Sequence, residues 1–121
     1  MRLLGLLATT GLAAFALTGC GGNSPANASA TSATQRACTN VTNVLANGPD
    51  PDADSVGYAE AQVLPLSQLS ISKGSLHKAV ARLDMAYREF SSNNGADSAT
   101  YAVRVSAAEK ALNKICPNAA P

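Results

Sequence analysis

Three groups of side chains in this sequence have the types and spacing that chemistry needs. Asp50, Asp52 and Asp54 alternate along Asp50-Pro51-Asp52-Ala53-Asp54. Carboxylates at the first, third and fifth positions of a loop are how a calcium loop begins. The pattern then departs. Ser55 stands where the sixth-position glycine belongs, Ala61 stands at the twelfth position, and Glu60 falls one short. Pro51 stiffens the segment further. It therefore reads as an acidic turn whose last member, Asp54, caps a following helix, where negative charge meets the positive end of the helix dipole. His77, the only histidine, is the second group. With Cys38 and Cys116 it could supply soft ligands for copper or zinc. As a general base it lacks an orienting partner, since Asp84 lies about 10 Å further along the same predicted helix. No nucleophile elbow, zinc-protease helix or phosphate loop occurs. The chain thus reads as non-enzymatic, with no metal and no other cofactor. The three cysteines, Cys20, Cys38 and Cys116, are the third group, and their chemistry depends on the compartment.

Cys20 settles the compartment. It closes Leu17-Thr18-Gly19-Cys20 at the end of an apolar run, Leu3 to Leu17, that follows the charged pair Met1-Arg2. A charged start, a short apolar stretch and small residues at a cut are the parts of a secretory signal. A membrane-spanning helix needs roughly 20 apolar residues, so this run is too short to remain as an anchor. The four residues resemble the lipobox of a bacterial lipoprotein. The resemblance implies cleavage before Cys20, a diacylglyceryl group on its sulfur, and a mature chain held by lipid on the extracytoplasmic face of the cell membrane. Two or more acyl chains anchor stably where one does not. With alanine at about a fifth of the residues, the whole chain is similar to small alanine-rich helical lipoproteins of the actinobacterial type.

Residues 1–19 are thus expected to be a removed signal. Cys20 and the small, polar stretch that follows, to Ala33, read as a lipidated flexible tether, too poor in large apolar residues to offset its ordering entropy. Residues 34–117 read as one helical domain and 118–121 as a disordered tail. Apolar positions spaced three and four apart predict four helices. The first runs from about Gln35 to Asn47 on Cys38, Val41 and Leu45, and ends at Gly48-Pro49. The second runs from about Ser55 to Ser70 on Val56, Ala59, Val63 and Leu66, kinked or split at Pro65. The third, from about Leu76 to Ser91 with Ser75 as its cap, has the strongest stripe: Leu76, Ala79, Val80, Leu83, Tyr87 and Phe90. The fourth, capped by Asp97, runs from about Ser98 to Ile115 on Tyr101, Val105, Ala108, Leu112 and Ile115. The predicted fold is a small all-α, up-and-down four-helix bundle.

In an exported chain the even pair Cys38 and Cys116 is expected to form a disulfide, which removes both sulfurs from any metal site. The bundle agrees. With four antiparallel helices the start of the first lies beside the end of the last. With three, those points would stand over 20 Å apart, whereas a bridge needs Cα atoms within about 7 Å.

Charge gives the last clue. Nine Lys and Arg face eight Asp and Glu. Arg2 leaves with the signal, so the mature chain is balanced, without the basic excess that nucleic acid requires. The proposed topology gathers Arg36, Lys73, Lys78, Lys110 and Lys114 at the tethered end and the acidic turn at the other. Lys73 and Lys78 flank a helix start, where the dipole favours acids. This basic cluster is expected to face anionic lipid head groups. The functional reading is a membrane-anchored, non-enzymatic lipoprotein that binds another envelope component through its helical surface. The alternatives are a small-ligand binder with a pocket between helices, and an enzyme without a recognisable motif.

Overall fold

The computed structural model describes residues 25–93 and 97–121, with side chains from Thr31 onward. The signal, the lipobox, Cys20 and residues 20–24 of the expected tether lie outside the described residues. Four helices follow in order: α1 Pro25–Leu45, α2 Ser55–Ser67, α3 Ser75–Ser92 and α4 Ser98–Asn113. Among the described residues there is no strand. The bundle is up-and-down, with α3 packed on both α2 and α4, and α1 lying more thinly against α2.

The expected stripes form the core. Val41 and Leu45 of α1, Ala59 and Leu66 of α2, Leu76, Ala79, Val80, Leu83 and Tyr87 of α3, and Ala108 and Leu112 of α4 are buried, with Val63, Phe90, Val105 and Ile115 packed at the margin; Val56 and Tyr101 of the expected stripes stay outside it. Six of the sixteen buried apolar residues are alanine, so the core holds little apolar surface for its length. Tyr58 and Gln62 are buried between the stripe positions of α2. Each ties α2 back to the end of α1. The Tyr58 hydroxyl donates to the Leu45 carbonyl at 2.7 Å, and Gln62 Nε2 donates to the Asn47 carbonyl. Gly48 makes the close approach possible. Its φ is +116°, and a Cβ there would meet Gln62 Nε2 at 2.9 Å.

The helix boundaries depart from the expected ones in physical ways. α1 starts at Pro25, well before Gln35, so part of the segment read as a tether is helical. Periodicity could not find it, because this stretch has no apolar face. Propensity explains it: Pro25 suits the first helical position, and Ala26, Ala28, Ala30 and Ala33 are strong helix formers. Arg36 Nη1 bonds Ser32 Oγ one turn back at 2.9 Å. No residue from 31 to 36 is buried, so the described part of this polar arm adds no side chain to the buried core. Cys38 therefore sits inside α1, not at its start. In α2, Pro65 falls in the last turn and the helix stops at Ser67, because Pro donates no hydrogen bond. α3 begins one residue early, with Gly74 as its N-cap and no side-chain cap bond; Ser75 lies within the helix. Asp97 starts α4 through its carbonyl, which accepts from Thr100 and Tyr101, not through its carboxylate.

The last residues are docked, not loose. Asn118 turns the chain with a φ of +60°, and Ala119 and Ala120 are buried. The Asn113 amide holds Ala120 from both sides, donating to its carbonyl at 3.1 Å and accepting from its N–H at 2.9 Å. A side-chain amide reproduces the donor and acceptor of a backbone unit, which is how a tail of small residues gains a fixed place.

Candidate functional site

The cysteine pair is bridged. Cys38 and Cys116 are joined at an S–S distance of 2.00 Å, with Cα atoms 5.4 Å apart and a sequence separation of 78. The bond clamps α1 to the end of α4, which otherwise touch little. It also commits both sulfurs, which dissolves the Cys–Cys–His ligand set around His77. Among the described residues no three potential ligands come together. The acidic turn is built as a cap: the Asp54 carboxylate accepts from Gly57 N–H at 2.8 Å, and the Asp50 carboxylate accepts from Asp52 N–H at 2.9 Å. Gly57 is essential to this, since a Cβ there would lie 2.2 Å from Asp54 Oδ2.

Arg36 of α1 and Lys73 of the α2–α3 connection line one open groove of about 610 Å³, with Asn40, Ser72 and the start of α3. Lys78 follows in the first turn of α3, and Lys110 and Lys114 sit at the end of α4, beside Cys116. These three do not line the groove, but the topology puts the start of α3 and the end of α4 at the same end of the bundle. All five cations are exposed. The ion pairs between described residues lie elsewhere, Arg88 with Asp84 and Arg104 with Glu89.

A second concavity lies between helices, with a lining that the sequence did not single out. It is a cleft of about 300 Å³ between α2, α3 and α4, lined by Tyr58, Tyr87, Phe90, Val105 and Glu109 and bounded by Pro121. The floor is rigid. The rings of Tyr58 and Tyr87 meet edge to face, with centroids 5.9 Å apart and planes at 88°, a favourable aromatic geometry. The Tyr87 hydroxyl donates to Glu109 Oε1 at 2.9 Å. Burial raises the Glu109 carboxyl above the usual carboxylate range, against the Tyr87 hydrogen bond, which lowers it. Burial, then the neighbouring Glu109 charge, pushes the Tyr87 phenol far up, so its proton stays in that bond. Burial raises Tyr58 as well. Tyr87 was legible only as core. Glu109 carried one signal: it stands four residues after Val105, on the inward face of α4.

No protein-family model matches the chain, and comparisons with curated proteins and with solved structures find no match. Among the described residues no helix is long and apolar enough to cross a membrane.

Proposed function

We propose that the chain is an exported lipoprotein, anchored through acylated Cys20 to the extracytoplasmic face of the cell membrane. It is non-enzymatic and binds another envelope component through its helical surface. The observation that carries the reading is Leu17-Thr18-Gly19-Cys20 behind a short apolar run. A structural disulfide is consistent with it, since such bonds persist in oxidising compartments. The basic end contributes the membrane contact. Each cation close to an anionic surface is worth about 1 kcal/mol, screened by salt.

The α1 arm constrains that contact. From Pro25 to Cys38 it spans roughly 20 Å at 1.5 Å per residue. Upright, it would hold the lysines beyond two Debye lengths, about 16 Å at physiological salt. The proposal therefore has the arm lie along the bilayer, with the groove of Arg36 and Lys73 turned to the head groups. The test uses the mature chain, residues 20–121, with Cys20→Ser, which lacks both the leader and the lipid. It should bind anionic vesicles weakly, bind neutral ones less, and release as salt rises. Replacing Lys73, Lys78 and Lys114 with Glu should abolish binding without unfolding the chain, because exposed charges add little stability. Equal binding to neutral and anionic vesicles would remove the membrane-facing role. A crosslinking pull-down from the native membrane then identifies the partner.

The cleft at Tyr87 and Glu109 supports a second reading, a small-ligand binder. Its apolar walls around a few convergent polar groups are the ordinary make-up of a ligand site.

A further inference from the structure

The cleft between α2, α3 and α4 has an unusual charge inventory. Among the described residues, the ionisable side chains that line it are Asp52 from the acidic turn, Tyr58 from α2, Tyr87 from α3 and Glu109 from α4, and no Lys, Arg or His does. Glu109 is partly buried. One of its oxygens receives the Tyr87 hydroxyl. Neither ion pair between described residues includes it. A carboxylate withdrawn from water costs free energy unless it is paired, and a neutral hydroxyl offsets only part of that cost. Among the described residues no cationic side chain answers this carboxylate.

The walls say what kind of cation would. Phe90, Val105 and Pro121 are apolar, so the body that carries the charge is apolar too. Inorganic cations are a poor fit, because they need several oxygen ligands around them, and here oxygens occupy only part of the lining. The volume, about 300 Å³, is at the small end for ligand clefts.

We propose that this cleft binds a small primary alkylammonium, with the ammonium on Glu109 and the alkyl body against Phe90 and Val105. The proposal rests on the small-ligand reading and names its ligand class. The ammonium donates to the Glu109 oxygen that Tyr87 does not use, a charge-assisted hydrogen bond of the stronger kind. The Tyr87 hydroxyl holds the carboxylate in place, since its own proton is not lost in the physiological range. Asp52, exposed at the rim, adds attraction at longer range.

The test is NMR titration of the full chain in a non-ionic detergent, with pentylammonium chloride and 1-pentanol as matched probes. Pentylammonium should give saturable shifts at Tyr87, Phe90 and Glu109 and bind at least tenfold more tightly than the alcohol. Glu109→Gln should remove that tenfold preference and leave pentanol binding unchanged, because Gln still accepts from Tyr87 and keeps the cleft intact. Ser106→Leu, which fills the cleft, should block both probes. Equal affinity for both probes in the parent chain would overturn the ammonium assignment and leave the ligand cleft standing. An ammonium preference that survives Glu109→Gln would overturn the role of Glu109. Absence of saturable shifts with either probe would overturn the cleft as a site, and the small-ligand reading with it.

Discussion

Reducing the Cys38–Cys116 bond should cost this domain most of its stability. The bond closes a loop spanning 78 residues, and the chain-entropy relation converts that length to about 4.5 kcal/mol at 25 °C. Small domains are stable by about 5–15 kcal/mol, and this one has an alanine-rich core. Each kcal/mol shifts the melting temperature of a domain this size by about 4–8 °C, so reduction should lower it by roughly 20–35 °C. The loss should also have a location. Val41 and Leu45 are the buried side chains among the described residues of α1, and the Tyr58 and Gln62 hydrogen bonds tie only its far end. Without the bridge α1 should detach before α2, α3 and α4 separate. Thermal circular dichroism with and without dithiothreitol measures the first effect, and the Cys38→Ser, Cys116→Ser double variant gives it without reductant. Amide exchange by residue measures the second: protection at residues 37–45 should fall before that of α3. A melting point that moves by less than about 5 °C, or protection that falls evenly along the chain, would refute the reasoning.

Three further outcomes follow from single contacts. Gly57→Ala should destabilise the parent chain by about 1 kcal/mol, because the added Cβ displaces the Asp54 cap. In an Asp54→Ala background the same change should stabilise by up to about 1 kcal/mol, the ordinary preference of a helix for alanine; urea melts of the four chains show whether the sign reverses. Asn113→Ala should cost about 1–2 kcal/mol by removing both bonds to Ala120, and should raise exchange at residues 118–121 while leaving α3 unchanged. Glu109→Gln should stabilise by about 0.5–1 kcal/mol at pH 7. The Glu109 pKa is higher folded than unfolded, so the folded state holds its proton more tightly. Stability from this group is complete below the unfolded pKa and is lost as pH rises through the folded one, so the gain from Gln should vanish in acid. A gain that persists at pH 3 would contradict this account of Glu109.

The helical architecture was readable because its signal is local and repeated. Leu76, Ala79, Val80, Leu83 and Tyr87 are spaced for one face, and that face is the core. The bridge was readable because its two ends had to meet in an even-numbered bundle. What escaped has no repeating signal. The arm from Pro25 is helical by propensity alone, with no stripe to mark it. The docking of Ala119 and Ala120 depends on one side chain, Asn113, reaching a segment whose composition resembles a loose end. The cleft depends on Tyr87 and Glu109 meeting across two helices, a pairing that neither periodicity nor spacing within one element contains. Arg36 and Lys73 were expected together and do share a groove; Lys78, Lys110 and Lys114 lie at that end without lining it.

The central claim is that this domain hangs from a membrane by a lipid on Cys20, and intact mass spectrometry of the membrane fraction tests it most directly. The account predicts a chain that begins at Cys20, carries a diacylglyceryl group there, and retains the Cys38–Cys116 bond. A chain recovered with an unmodified Cys20, or cut at any other position, would contradict it.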